Sequence, residues 1–277
     1  MAADLYRNRD FISDFDEIVA ETAARSREVG RSALVRRTMS YGVGPRESMD
    51  IFFPAQQRRG APLHVFIHGG YWRAGSKEDH WLVAAPVLEA GGIACLLTYA
   101  LMPGTRLGAI VGQVRAALNK LVAMAPEWGA DAGRLSISGH SAGAHLASYL
   151  ASVAPGDDTE PQLPAVKSML LVSGIYDLRD IPDSFLKDET GMTPEEARAW
   201  SPLSSRHLNG PRRILVASER DTPPFHQQGS ELAARLVKAG HDAEWQVVKN
   251  YNHMTIVLDM GNPNGTLGRR IAELVQA

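Results

Sequence analysis

The sequence predicts an α/β fold in which helices cover both faces of a mostly parallel sheet. Short apolar runs, typical of strands buried on both faces, alternate with segments of helical periodicity along most of the 277 residues. The predicted strands of this alternation are 63–67, 92–98, 135–138, 168–173, 213–217 and 244–249. The predicted helices are 79–90, 107–124, 141–153, 225–239 and 266–275.

A helix and two strands are predicted ahead of this alternation. Four apolar residues recur at helical spacing and predict a helix over about residues 10–30. They are Phe11, Phe15, Ile18 and Val19. Strand-like runs follow at 33–40 and 47–53, with a turn at Gly44-Pro45 between them.

One polar, proline-bearing stretch interrupts the alternation. We interpret residues 179–208 as a short cap insertion that lies over one edge of the sheet and shapes a pocket, within a single domain of residues 1–277. A short helix is predicted inside it, with Thr193 as the N-cap and Pro194 as the first helical residue.

The composition excludes several classes of protein. With 44% hydrophobic residues, 29 Lys and Arg against 31 Asp and Glu, and a net charge of −2, the chain is neither collagen-like nor disordered. Near-neutral charge argues against nucleic acid or an anionic membrane surface as a partner. Cys95 is the only cysteine, so no intramolecular disulfide can form, and its apolar neighbours predict that it is a buried apolar residue. No secretory signal or apolar run of about 20 residues is apparent, so the expected location is the cytoplasm.

The main catalytic motif lies where a predicted strand meets a predicted helix. Residues 139–143 read Gly-His-Ser-Ala-Gly between the strand 135–138 and the helix that follows. A serine at such a turn is exposed at the carboxyl edge of the sheet, and Gly139 and Gly143 allow the tight turn. Ser141 is therefore the candidate nucleophile. The alternative is that the two glycines only permit close packing of helix and strand.

A glycine-rich loop is the candidate oxyanion hole. Residues 68–72 read His-Gly-Gly-Tyr-Trp and follow the strand 63–67, the position from which a loop can present backbone N–H donors to a tetrahedral oxyanion. We assign the N–H groups of Gly70 and Tyr71 to the hole, together with that of Ala142. His68 is expected to hold the loop by hydrogen bonds, with Gly69 supporting the turn. The alternative is an ordinary turn with aromatic residues packed beneath it.

The candidate acid and base lie further along the chain, in the order typical of α/β-hydrolases. Asp221 follows the strand 213–217 and is favoured over Glu219, which lies nearer the strand end, and over Asp177. His253 follows the last predicted strand. A neutral imidazole near pH 7 can take the serine proton and return it to the leaving group, while the acid holds its tautomer. No metal site is predicted, because the sequence has no H-E-x-x-H pattern and no paired cysteines, and His64 and His68, on the same side of their strand, have no evident third ligand.

Taken together, these motifs resemble those of the esterase/lipase branch of the α/β-hydrolases, and most closely those of the arylformamidases, also called kynurenine formamidases. The resemblance spans about residues 48–257. It rests on the segments 68–72, 139–143, 173–178, 201–202, 221–225 and 252–253. The aromatic pair after His-Gly-Gly, where many esterases carry a third glycine, and the run 173–178 are more discriminating than the serine motif at 139–143.

The resemblance implies an α/β-hydrolase fold, a triad of Ser141, Asp221 and His253, and no cofactor. It also implies hydrolysis of N-formyl-L-kynurenine to L-kynurenine and formate, a step in tryptophan degradation. Tyr71 and Trp72 are then candidate contacts for the arene of this small-molecule substrate, or else simply walls of an ester pocket.

Two other hypotheses are carried forward. One is a carboxylesterase of broad range that acts on short acyl esters with the same residues. The other is a non-catalytic ligand-binding protein built on a hydrolase scaffold, although such proteins usually lose a triad member and all three candidates are present here. The sequence leaves a homodimer open.

Overall fold

The computed structural model describes residues 3–33, 35–56 and 59–277. Residue 34 of the predicted strand 33–40 therefore lies outside the described residues. The described residues form eight strands in one sheet. The strands are β1 (Val35–Ser40), β2 (Ser48–Phe53), β3 (Ala61–Ile67), β4 (Ile93–Leu97), β5 (Ala130–His140), β6 (Ser168–Val172), β7 (Arg212–Ser218) and β8 (Ala243–Val248).

The sheet is mostly parallel, as predicted. Its strand order is β1-β2-β4-β3-β5-β6-β7-β8, and β2 pairs antiparallel with both β1 and β4. Every later pairing is parallel. The loops after β3, β5, β6, β7 and β8 therefore all emerge at the same edge of the sheet, where ligand sites of α/β folds usually lie.

In the same described residues, nine α-helices flank the sheet. They are α1 (Phe15–Ser32), α2 (Ala84–Glu89), α3 (Leu107–Met124), α4 (Ala142–Ser148), α5 (Lys187–Thr190), α6 (Pro194–Ala199), α7 (Pro223–Lys238), α8 (Thr255–Met260) and α9 (Thr266–Gln276). The predicted helix 79–90 is a 3-10 helix (Glu78–Val83) followed by α2, and the predicted helix 141–153 ends earlier, with α4 and a 3-10 turn. No described helix is long and apolar enough to cross a membrane.

Helices bury both faces of the sheet, because alternate residues of each strand point to opposite sides. Val65 belongs to one apolar core, together with residues of α3, α4 and α7. Its neighbour Phe66 belongs to a second core, together with residues of α2, α8 and α9. The resulting three layers are the α/β arrangement that the alternating pattern predicts.

The segment 179–208 contains α5, α6 and short 3-10 turns. The helix α6 begins at Pro194, and the Thr193 side chain accepts a hydrogen bond from the Glu196 N–H at 3.1 Å, which confirms the predicted cap. The Glu196 carboxylate in turn accepts from the N–H of Leu107, the first residue of α3, at 3.1 Å. The segment is thereby tied to the main body at a helix N-terminus.

A histidine inside the sheet links two central strands. His64 of β3 is buried, and its two ring nitrogens lie 2.8 Å and 2.7 Å from the hydroxyl oxygens of Ser136 and Ser138 in β5. Burial lowers the pKa of His64 to about 3. The imidazole therefore stays neutral in the folded protein at pH values at which an unfolded chain protonates it.

This difference predicts a loss of stability in acid. Below the ordinary histidine pKa of about 6.5, the unfolded chain binds a proton on this residue that the folded chain does not. Each unit by which the pH is lowered therefore reduces the free energy of unfolding by about 1.4 kcal/mol from this group. We expect His64→Gln to reduce the slope between pH 6 and pH 4.5 by about this amount, measured by urea unfolding. Ser136→Ala, which keeps the imidazole, should lower stability without changing the slope; equal slopes in His64→Gln and the wild type would contradict the prediction.

Candidate active site

Ser141 lies at the turn between β5 and α4, as predicted. Its φ of +54° is in the left-handed region, which a non-glycine residue adopts only where the surrounding structure imposes it. Its N–H donates to the carbonyl oxygen of Val172 in β6 at 2.8 Å, which holds the turn against the neighbouring strand. The side chain is largely buried but lines an open cavity at the sheet edge.

Glycines at positions 143 and 69 let the backbone around this serine lie in contact with the backbone at the end of β3 and in the loop that follows it. A Cβ atom built on Gly143 would lie only 2.0 Å from the carbonyl oxygen of Ile67, the last residue of β3. On the other side, a Cβ on Gly69 would lie 2.9 Å from the carbonyl oxygen of His140. Any side chain at these positions would push the glycine-rich loop away from the serine.

The structure brings the three predicted triad residues into one hydrogen-bonded chain. His253 Nε2 lies 3.1 Å from Ser141 Oγ, and His253 Nδ1 lies 2.7 Å from Asp221 Oδ1. The other carboxylate oxygen of Asp221 accepts from Ser173 Oγ at 2.6 Å and from the N–H of Ser218 at 2.8 Å. Burial opposes ionisation of Asp221, but the charge and hydrogen bond of His253 and these two donors hold its pKa below the ordinary value.

The two competing carboxylates lie elsewhere. Glu219 accepts a hydrogen bond from the N–H of Asn250 at 2.9 Å and is exposed. Asp177 forms an ion pair with Arg179. Neither of them is hydrogen-bonded to His253, so the geometry favours Asp221 as the acid.

The glycine-rich loop presents backbone donors on the other side of Ser141. Gly70 has a φ of +113° and Tyr71 a φ of +50°, and the carbonyl oxygen of Gly70 accepts from the N–H groups of Arg73 and Ala74. In the part of the chain that the structure describes, the N–H groups of Gly70, Tyr71 and Ala142 donate to no other protein group. Free N–H donors beside a serine are what an oxyanion hole requires.

His68 supports this loop from beneath. Its Nδ1 lies 2.7 Å from the carbonyl oxygen of Gly69, and its ring stacks on Tyr99 at 4.4 Å. The Tyr99 hydroxyl donates to the carbonyl oxygen of His68 at 2.8 Å. Burial, reinforced by the neighbouring His80, lowers the pKa of His68 to about 3, so this ring acts as a neutral support and not as a charge.

Two further residues, which the sequence did not identify as functional, hydrogen-bond to His253 and Asp221 of the candidate triad. His140 donates from Nε2 to the backbone carbonyl of His253 at 2.8 Å, and the two rings lie 4.8 Å apart. Ser173 donates to Asp221, as described above, and has a φ of +47°. His140 is the last residue of β5, and Ser173 directly follows β6, the strand next to it. This placement beside the turn at Ser141 is the signal that could have identified them.

The cavity beside Ser141 has a volume of about 610 Å³. From the segment 179–208, only Phe185 and Glu189 line it. Much of the remaining wall comes from the N-terminal region, which was expected only to be a helix. The lining residues of that region are Arg7, Asn8, Arg9, Phe15, Val19, Thr22 and Ala23.

The N-terminal wall explains why Val19, on the predicted apolar face of α1, is not buried. Val19 is 41% exposed, whereas its neighbour Ile18 is buried; Phe11, also exposed, lies in a 3-10 helix before α1. Val19 faces the cavity and not the core. Tyr71 connects this wall to the glycine-rich loop, because its hydroxyl donates to the carbonyl oxygen of Tyr6.

The structure places Trp72, a candidate contact for the arene, away from the cavity. The Trp72 side chain is fully buried and does not line the cavity. Its indole N–H donates to Nδ1 of His145 at 3.2 Å, and His145 Nε2 donates to the carbonyl oxygen of Trp200 at 2.8 Å. The backbone turns at Tyr71 and Trp72, both with positive φ, point the two successive aromatic side chains into different environments. Tyr71, in contrast, does line the cavity.

The described residues contain no group of three or more His, Cys, Asp or Glu side chains arranged to hold a metal ion. The chemistry that the site offers is that of a buried serine, an imidazole and a carboxylate in series. Free backbone donors lie beside the serine.

Comparison with known proteins places the chain in a family. The family model described as BD-FAE matches residues 49–236, more than half of the chain. The chain belongs to the BD-FAE family of α/β-hydrolases. The matched range includes Ser141 and Asp221 and ends before His253.

Relatives of this BD-FAE member are named hydrolases. Kynurenine formamidase of Danio rerio is 30% identical over 269 residues, which cover 94% of this chain and 89% of that protein. Kynurenine formamidase of Salmo salar is 29% identical over 258 residues, which cover 90% and 83%. The solved structure of a hyperthermophilic esterase from the archaeon Pyrobaculum calidifontis has a TM-score of 0.76 at 18% identity, covering 94% of this chain and 91% of that one.

The predicted α/β-hydrolase fold and the resemblance to kynurenine formamidases are confirmed by these comparisons. The protein is a hydrolase, and the hypothesis of a non-catalytic binding protein has no support among these relatives.

The placement of Trp72 leads to a test. We expect Trp72→Phe to lower the free energy of unfolding by about 1–3 kcal/mol, because it leaves the buried Nδ1 of His145 without a donor. Trp245→Phe is the matched control, since no hydrogen bond of its indole N–H is seen in the described part of the chain. Urea unfolding measures both. A Trp72→Phe variant of unchanged stability but weakened substrate binding would show that Trp72 contacts substrate after all.

Proposed function

We propose that this hydrolase cleaves N-formyl-L-kynurenine to L-kynurenine and formate, with Ser141, His253 and Asp221 as its catalytic triad. The observation that carries the proposal is the series of hydrogen bonds from Ser141 Oγ through His253 to Asp221, at 3.1 Å and 2.7 Å, beside a cavity of suitable size. The kynurenine formamidases of two fishes, similar over most of the chain, support the choice of substrate.

Acylation begins at the serine. His253 Nε2 takes the Ser141 hydroxyl proton while Oγ attacks the formyl carbon, and the carbonyl oxygen becomes an oxyanion. The N–H groups of Gly70, Tyr71 and Ala142 stabilise this charge. Asp221 keeps the proton on His253 Nδ1 and stabilises the imidazolium, and its low pKa keeps it ionised for this role.

Collapse of the tetrahedral intermediate releases the amine. The bond between carbon and nitrogen breaks, and the imidazolium of His253 donates its proton to the leaving aniline nitrogen, which gives L-kynurenine and a formyl ester on Ser141. A water molecule, deprotonated by His253, then attacks this ester. The bond between the formyl carbon and Ser141 Oγ breaks, His253 returns its proton to Ser141, and formic acid leaves and loses its own proton to water to give formate.

The walls of the cavity suit an arene. Phe185 and Tyr71 meet edge to face with their centroids 5.6 Å apart, and both line the cavity. The side chains of Phe15, Val19 and Val257 add apolar surface to the same space. An aromatic contact of this kind adds about 0.5–1.5 kcal/mol beyond burial.

An esterase acting on short acyl esters is the second candidate. Isoprenylcysteine alpha-carbonyl methylesterase of Arabidopsis thaliana is 27% identical over 159 residues, which cover 56% of this chain and 37% of that protein. The same triad and oxyanion donors serve ester and formamide hydrolysis alike, so the choice between them depends on the pocket.

A substrate panel tests the proposal. We expect the wild type to hydrolyse N-formyl-L-kynurenine with a kcat/KM above its value on p-nitrophenyl acetate. We expect Ser141→Ala to lower kcat on both by about 10⁴-fold or more, because the nucleophile is lost. Release of kynurenine is followed by absorbance. Efficient ester turnover without formamide turnover would favour the esterase, and full activity in Ser141→Ala would exclude the triad.

A second pair of variants tests the acid. We expect Asp221→Asn to reduce kcat by about 10³–10⁴-fold, because an amide does not hold the reactive tautomer of His253. Glu219→Gln, an equivalent change two residues earlier on the same loop, should leave kcat within about twofold, because the exposed Glu219 carboxylate hydrogen-bonds to the N–H of Asn250 and not to His253. The reverse ranking of the two variants would assign the acid to Glu219.

A further inference from the structure

The cavity beside Ser141 carries opposite charges on one part of its wall. Arg7, Arg73 and Glu189 line it, close to the aromatic rings of Phe185 and Tyr71. The triad mechanism uses none of these charges. A pocket that accepted only an uncharged arene or acyl group would gain nothing from them, since charged groups at an apolar surface are costly to desolvate.

Arg7 is a cation without a carboxylate partner in the part of the chain that the structure describes. Its guanidinium lies over the ring of Phe185, 5.5 Å from the centroid. The nearby Asp4 is engaged elsewhere, because its carboxylate accepts from the N–H groups of Tyr6 and Phe185 at 2.9 Å and 2.5 Å. Arg9, two residues further on, contrasts with Arg7, because it forms a bidentate ion pair with Asp16.

Glu189 supplies a negative charge on the same wall. It lies on α5, four residues after Phe185, and forms an ion pair with Arg73 of the glycine-rich loop. Both side chains are partly exposed, Arg73 at 33% and Glu189 at 42%, so the pair keeps contact with solvent at the mouth of the cavity. Arg73 orients the carboxylate without enclosing it.

We propose that Arg7 binds the α-carboxylate, and Glu189 the α-ammonium, of an amino-acid group carried by the substrate. This assignment rests on the proposed function, because N-formyl-L-kynurenine carries such a zwitterionic group on a side chain of its arene. The arene then lies against Phe185 and Tyr71, with the formamide directed toward Ser141. A guanidinium with its fork free matches a carboxylate, and a carboxylate held by one arginine retains acceptor positions for an ammonium group.

The experiment combines three substrates with three variants that introduce glutamine, and Arg7→Lys serves as a fourth, conservative variant. The substrates are N-formyl-L-kynurenine, its decarboxylated amine analogue, and N-formylaniline, which lacks the amino-acid group. The variants are Arg7→Gln, Glu189→Gln and the control Arg25→Gln. Arg25 is paired with Glu21 on α1 and does not line the cavity, so its replacement makes the same change in net charge as Arg7→Gln, but away from the pocket.

We expect Arg7→Gln to raise KM for N-formyl-L-kynurenine about tenfold or more with kcat unchanged, because a charge-assisted contact to the bound substrate is lost. The same variant should leave the decarboxylated analogue and N-formylaniline unaffected. Glu189→Gln should raise KM for both amine-bearing substrates and leave N-formylaniline unaffected. Arg7→Lys, which keeps the charge without the fork, should recover part of the loss.

Other results would overturn the assignment. If Arg7→Gln and Glu189→Gln change KM for N-formylaniline as much as for N-formyl-L-kynurenine, these residues only shape the wall. If Arg25→Gln changes KM for N-formyl-L-kynurenine as much as Arg7→Gln does, the effect comes from the long-range electrostatic field. If the wild type is active on N-formyl-L-kynurenine and neither Arg7→Gln nor Glu189→Gln changes its KM, this inference is refuted and the proposed function stands. A wild type inactive on every formamide, but active on p-nitrophenyl acetate, would refute both.

Discussion

The parallel pairing of β3 with β5 is the constraint on which the site depends. Ile67 at the end of β3 lies opposite Gly139 near the end of β5, so the glycine-rich loop and the serine turn leave the sheet side by side. Backbone contact at Gly143 then fixes the spacing between them. A shift of this register by one residue would separate the N–H donors from the serine and turn the strand's buried side chains to the wrong face.

From β5 onward, each neighbouring strand contributes one member of the hydrogen-bonded chain. Ser141 follows β5, Ser173 follows β6, Asp221 follows β7 and His253 comes after β8. The order of these strands in space is the same as their order along the chain, which lets short loops place four polar side chains in a row. The charge of the Asp221 carboxylate is thus shared by donors from three successive strand ends. Such a preformed array needs little rearrangement when charge moves during a reaction.

Much of this arrangement could be predicted because its signals are local. An apolar strand followed by Gly-His-Ser-Ala-Gly points to a candidate nucleophile within a dozen residues, and Thr193 with Pro194 marks the start of a helix in two. The wall built by the N-terminal region left no such signal, because the periodicity that predicts α1 does not reveal that Val19 faces a cavity. The burial of Trp72 could not be predicted for a related reason: adjacent residues in a loop of positive φ can point to opposite environments.

The N-terminal wall is held by hydrogen bonds to residues in α7 and just before it, which lie far away in the sequence. Thr222 donates to the carbonyl oxygen of Leu5 across 217 residues of sequence, and Gln228 donates to the Tyr6 hydroxyl across 222. During synthesis on a ribosome, Leu5 and Tyr6 are therefore made well before Thr222 and Gln228, and these contacts form only after α7 has been made. Closing so long a loop is slow, and the apolar surface of the unfinished pocket stays accessible in the meantime. The segment that completes the pocket is thus translated long before the helix that holds it in place.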